Sequence, residues 1–239
     1  MQLSTLFDPP PGLSASEAAR RAGINRSTLH RIATGAVAPS LDTLRELAIV
    51  HGLDLQLTLT PLSDLDAAAA ARMLFDPAFG DVARAQQWVG RLERLGDDPL
   101  TILQTAGRAA SLLHSARVTL MRGDASALRL ASAGDASGGA WAVSGAAALG
   151  LGSVSAPQGP SVLWVEDRAA ASAALQETHR TVGAPLNANV IVAEAPPWVF
   201  VDAYTIDLVH YVAPIQMILD GIGLEGELEN IALRIAKHW

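Results

Sequence analysis

Residues 14–35 read SASEAARRAGINRSTLHRIATG, and residues 39–48 read PSLDTLRELA. Ser14 precedes a helix-compatible run over 15–22, with Glu17 three residues on in capping-box spacing. Gly23 ends that helix as a left-handed residue past the last turn would. Asn25 is the expected N-cap of a second helix over 26–34, which Gly35 stops. Pro39-Ser40 breaks the chain again, and 41–51 forms a third helix closed by Gly52. The shared core is predicted to contain Ala18, Ala22, Ile24, Leu29, Ile32, Leu44 and Leu47.

Two helices joined by a short turn containing glycine have the helix-turn-helix layout, in which the second helix enters the major groove of DNA. Helical periodicity turns Leu29 and Ile32 inward and leaves Arg26, Ser27, Thr28, His30 and Arg31 outside. Arginine can fork onto guanine O6 and N7, and serine or threonine can take a base edge or a phosphate. Arg20 and Arg21 fall where the first helix of the pair would cross the backbone, which suits phosphate contacts.

On these residues the segment over about 13–52 resembles the XRE (Cro-repressor-type) family of helix-turn-helix regulators. It holds Gly23, the Arg26-Ser27-Thr28 start of the second helix, Gly35, Pro39 and the Leu44/Leu47 pair. The resemblance implies base contacts from Arg26, Ser27 and His30 or Arg31, with Ala15 and Thr28 near phosphates. There are two departures from the family pattern. The first helix is shortened to 2–7 before Pro9-Pro10-Pro11, and Ala33 stands where an acidic residue is common.

The 239-residue chain carries a formal charge of −7, which at first sight argues against a nucleic-acid partner. The charge is unevenly placed. Residues 1–60 hold five arginines and five acids, for a net of 0, so the remaining 12 basic and 19 acidic groups carry the whole −7. Four of those five arginines fall between 20 and 31, a local cationic patch on a neutral module. Half the residues are hydrophobic, enough for a substantial core. The absence of cysteine excludes disulfides and thiolate chemistry. No uninterrupted apolar stretch reaches membrane-spanning length and no secretory leader opens the chain, so a soluble, cytoplasmic protein with no membrane partner is expected.

Leu53, Leu55, Leu57 and Leu59 alternate with Asp54, Gln56, Thr58 and Thr60, the period of a half-buried strand, which Pro61 ends. Such a strand needs a partner, in the same chain or in a second subunit. Residues 61–122 read as a wholly helical connecting region, with helices over 64–73, 81–95 and 99–122. A Gly/Ala/Ser-rich stretch, 123–139, follows. The remainder alternates: a helix after Gly145, a strand at 161–165, a helix at 167–181, strands at 189–192 and 198–201, then helices at 205–221 and 225–238. The predicted fold is therefore α+β in two parts, an all-α DNA-binding module over 1–60 and an α/β domain over 123–239, linked by the helical middle.

Trp141-Ala-Val-Ser144-Gly145, entering a helix and followed by a strand at 162–165, is similar to the opening of the nucleotidyltransferase-like fold. In active members of that fold, paired carboxylates on the second strand bind magnesium. Here Pro160, Ser161 and Val162 stand in their place, and Glu166 and Asp167 come late and adjacent, so no catalytic pair is expected. Pro214-x-Gln216-x-x-x-Asp220 narrows the likeness over roughly 139–239 to the AbiEi-type antitoxins of abortive-infection toxin–antitoxin systems. Those proteins place a DNA-binding head before a catalytically inert domain of this shape, the head more often being a winged helix.

Gly221-x-Gly223-x-x-Gly226 spells a dinucleotide fingerprint, but it follows a helix and is flanked by Glu225, Glu227 and Glu229. It reads as a bent helix–helix connection. The six histidines include no i, i+4 pair, and no metal or cofactor is expected. His210 reads as a pair with Asp207, and Trp88, Trp141, Trp164 and Trp198 as core or interface. The function expected is a non-enzymatic, sequence-specific repressor of transcription. It would repress its own operon, acting as a homodimer or by cooperative binding to repeated half-sites of a double-stranded DNA operator, and would have a possible cognate toxin. A ligand-sensing regulator and an active nucleotidyltransferase are the alternatives.

Overall fold

The computed structural model describes residues 3–153 and 157–238. The chain divides into two compact units, Met1–Thr60 and Pro61–Trp239.

The first unit is a 3-10 turn, Leu3–Phe7, followed by helices α1 (Ala15–Arg21), α2 (Arg26–Ala33) and α3 (Leu41–Val50). Of the short helix expected over 2–7, Gln2 lies outside the described residues and the remainder winds as 3-10. The punctuation works as its chemistry requires. Ser14 and Ser40 cap α1 and α3 through side-chain oxygens that accept from Glu17 N and Thr43 N, each at 3.2 Å. Gly23, Gly35 and Gly52 all take φ between 68° and 75°, the left-handed conformation that closes a helix at no steric cost to glycine. Asn25 occupies the N-cap of α2 but makes no side-chain capping bond. The capping box of α1 is only half formed, because the Glu17 carboxylate turns to Arg20 and Arg21 instead of the Ser14 amide. Ala19, Ala22, Leu29 and Leu47 form the core, with Phe7, Ile24 and Val50 packed around it. Ala18 and Ile32 are also buried, and Leu44 is half-buried.

Residues 53–60 belong to no helix and no sheet. The expected strand has its sequence pattern and no ladder. The Leu53 N–H donates to Ala48 O at 2.9 Å, and no other backbone–backbone bond of the stretch occurs among the described residues. Leu57 and Leu59 are 67% and 97% exposed.

The second unit is built on a seven-stranded mixed sheet in the order β4-β1-β5-β3-β2-β7-β6. Its strands are β1 (Val118–Arg122), β2 (Trp141–Gly145), β3 (Ser161–Val165), β4 (Arg180–Thr181), β5 (Val190–Glu194), β6 (Tyr204–Ile206) and β7 (Val209–Tyr211). The central pairs are β2–β3, antiparallel from Trp141↔Val165 to Gly145↔Ser161, and β3–β5, parallel. Helices α4 (Leu65–Phe75), α5 (Gln86–Leu92) and α6 (Pro99–Ala109) precede the sheet. Helices α7 (Ala127–Ala136), α8 (Ala146–Leu149) and α9 (Arg168–Gln176) connect its strands, and α10 (Pro214–Gly223) and α11 (Gly226–Ala236) close the chain.

Five expectations for this unit are corrected. The region 61–122 is no separate connector, because Ile102, Leu103 and Ala106 of α6 share a core with Ile215, Leu219 and Ile222 of α10. Residues 118–122 are strand β1, whose partner β5 lies some 70 residues further on and is invisible to local periodicity. The small-residue stretch 123–139 contains α7, where Gly134 lets Trp141 pack directly on the helix backbone. Residues 197–200 wind as a 3-10 turn led by Pro196-Pro197 and form no strand. Residues 204–211 are a hairpin, not a helix. Its two-residue turn, Asp207-Leu208, has φ of 47° and 68°, the primed-turn conformation that suits strand twist.

Two buried polar networks tie this unit together. Arg72 is fully buried and donates to Trp198 O at 3.2 Å and Val201 O at 2.9 Å, with Asp76 at 3.3 Å. Asp220 accepts from Trp164 Nε1 at 2.9 Å and Gln216 Nε2 at 2.8 Å. Burial pushes the Asp220 carboxyl up to about 6, against the pull of those hydrogen bonds.

Candidate nucleic-acid interface

The site is the outer face of α2. Leu29 and Ile32 anchor the helix in the small core and fix its rotation, so Arg26, Ser27 and His30 stand exposed on the opposite side. Positions 26, 30 and 33 follow one another at i, i+4, i+7 and form a single stripe. Together with Ser27 they line a groove of about 570 Å³ whose other walls are Phe7, Asp8, Ala15 and Leu29.

The structure thus brings together four of the residues singled out from sequence: Ala15, Arg26, Ser27 and His30. It does not bring the other four to that groove. Thr28 is half-buried, and Arg31 is exposed but outside the lining. Arg20 and Arg21 are exposed and already engaged. Arg20 reaches Glu17 at 2.6 Å and Arg21 reaches the same carboxylate at 3.0 Å. Both arginines hold the Glu17 carboxyl down to about 2, so it stays ionised through the physiological range. A phosphate approaching α1 therefore competes with Glu17 for these cations.

Asp8 was not foreseen. It follows the 3-10 turn and faces the groove that Arg26 and His30 line. A carboxylate there can accept from a cytosine amino group, and it repels a phosphate. Only the shortness of the first helix could have signalled that its end reaches α2.

Gly145, at φ 69°, brings the chain so close to Pro160 O that a Cβ would lie 2.5 Å from it. Glu166 accepts from Ala140 N at 3.1 Å, and Asp167 caps α9 through Ala170 N at 2.9 Å. Gly221 and Gly223 sit within α10, and a Cβ on Gly223 would meet Gly107 O at 2.6 Å, so these glycines serve helix packing. His210 bonds to Thr205 Oγ1 at 2.8 Å and packs edge-on against Trp141, in place of the expected pairing with Asp207. Among the described residues no cluster of three or more His, Asp or Glu could hold a metal ion. No helix among them is long and apolar enough to cross a membrane.

A small core, an inward-fixed second helix and an exposed face carrying Arg26 and His30 have the helix-turn-helix layout. The sequence model of a family described as a helix-turn-helix domain matches residues 11–59, in support of an N-terminal helix-turn-helix regulator. No curated protein and no solved structure matches the chain.

Proposed function

We propose that this chain is a sequence-specific repressor of transcription of the XRE type, binding double-stranded DNA as a homodimer and regulating its own operon. The observation that carries the reading is the single groove shared by Arg26, Ser27, His30 and Ala15 on the outer face of α2. Arg26, Ser27, His30 and Arg31 read base edges, with guanine the natural partner of the arginines. Ala15, Thr28, Arg20 and Arg21 lie along the phosphates, the last two after release from Glu17.

In this reading the second unit is a nucleotidyltransferase-like body without catalysis, comparable to the inert domain of AbiEi-type antitoxins. The Ser144-Gly145 end of β2, which leads through α8 towards antiparallel β3, supports the likeness. The structural employment of Glu166 and Asp167 supports inertness. A cognate toxin would then be the protein partner, and the cytoplasm the place of action.

Electrophoretic mobility shift with the DNA upstream of the chain's own reading frame tests the regulator. Retardation that survives excess random duplex, and is lost in Arg26→Ala, is expected. Equal affinity for both duplexes would contradict sequence-specific binding. Co-expression with each neighbouring reading frame tests the antitoxin. Rescue of growth arrest supports it, and the absence of any toxic neighbour removes it.

A further inference from the structure

The stretch 53–60 is the one leucine-alternating segment of the first unit, and it carries an unmade ladder. A segment with strand-period leucines and no backbone–backbone bond beyond Leu53 N–H among the described residues is a template for another strand. The chain's own sheet offers poor edges for it, since the edge strands β4 and β6 have two and three residues. A second copy of the same segment matches it in length.

We propose that residues 53–59 form an antiparallel two-stranded ribbon with the same residues of a second copy, the two-fold axis passing at Gln56. In that register Leu53 faces Leu59 and Leu55 faces Leu57 on one side of the ribbon. Asp54 faces Thr58 and Gln56 faces Gln56 on the other, so every leucine meets a leucine and no acid meets an acid. A two-stranded ribbon alone is marginal in water and needs its apolar face covered. Helix α3 leaves Leu41 and Ile49 exposed, two turns apart on one stripe, and they supply apolar surface in the same unit. Charge permits the approach, because the first unit has a net charge of 0 whereas the second carries −7.

The proposal deepens the homodimer reading. It rests on that reading for its consequence, which is that a ribbon next to α3 sets the spacing of the two α2 helices and hence of the half-sites. Its test needs no DNA. A chain that dimerises through 53–59 yet binds no operator would refute the repressor and leave the ribbon standing.

Sedimentation equilibrium of the full chain is expected to show a dimer. The Leu55→Arg/Leu57→Arg double variant should associate at least tenfold more weakly, with an unchanged far-ultraviolet circular dichroism spectrum. The chain has no cysteine, so Gln56→Cys reports the axis directly. Facing Cα atoms of an antiparallel pair lie within disulfide reach, and mild oxidation should cross-link this variant. Thr60→Cys, with its two copies about 27 Å apart along the ribbon, should not cross-link. A monomeric wild type, a dimer that withstands both arginines, or Thr60→Cys cross-linking as readily as Gln56→Cys would each overturn the proposal.

Discussion

The two units use their charged side chains in opposite ways. In the first, Arg26 and Arg31 stand in solvent with no ion pair among the described residues, on a face that a small apolar core holds still. In the second, Arg72 is wholly buried between two carbonyls and Asp76, and Asp220 is closed in by Trp164 and Gln216. A buried, hydrogen-bonded charge specifies packing, whereas an exposed cation on a rigid helix is free to meet a phosphate or a base. The acidic body would repel DNA, so the neutral unit's arginines have to carry any affinity. Arg20 and Arg21 lie between these extremes, surface cations partly neutralised by Glu17.

The largest effect is expected at Arg72. Arg72→Ala strips two carbonyls and Asp76 of their donor and should destabilise the second unit by about 3–5 kcal/mol. Thermal unfolding should show that unit's transition falling while the first unit's remains. Next in size is Arg26→Ala, expected to cost roughly 1–3 kcal/mol on the preferred duplex and to relax preference at one base pair, as read by competition binding.

A smaller effect follows from pH. Burial raises the Asp220 carboxyl to about 6 in the fold, from near 3.8 when unfolded, so the folded state favours the protonated form. Its stabilising contribution is complete at low pH and is lost as pH rises through about 6. The second unit should accordingly be more stable at pH 5 than at pH 7 by about 1 kcal/mol from this group. Urea denaturation at the two pH values reads it, and Asp220→Asn should flatten the difference. A difference that survives the substitution would place the titration elsewhere.

Smallest are the changes on α1. Arg21→Ala should weaken binding on all duplexes alike and reduce the salt slope by about 1. Glu17→Gln should shift affinity the other way, most clearly at low salt, by freeing both arginines. Salt titrations of the two variants in parallel would show whether Glu17 sets the comparison's middle ground.

The helix-turn-helix was legible because each of its signals is local. Ser14 and Ser40 cap within three residues, and Gly23, Gly35 and Gly52 end helices by their own conformational freedom. Inward Leu29 and Ile32 dictate the outward stripe of Arg26, Ser27 and His30. What stayed hidden depends on distant partners. Strand β1 exists only because β5 pairs with it, and its sequence, VTLMR, carries no alternation. The turn at Asp207-Leu208 uses positive φ without glycine or asparagine, so the hairpin reads as helix. Helix α7 is masked by small residues whose purpose is close packing on Trp141. In the site, the carboxylate clamp on Arg20 and Arg21 has the local i, i+3 and i, i+4 spacing from Glu17 that a helix brings together, whereas the reach of Asp8 is a tertiary fact with no spacing of its own.

The proposed function stands on the outer face of α2 reading DNA sequence. Selection of bound duplexes from a randomised pool, with the full chain and with Arg26→Ala side by side, tests it most directly. An enriched motif for the wild type, and loss of preference at one position of that motif in the variant, are expected. No enrichment, or a motif that Arg26→Ala leaves unchanged, would contradict it.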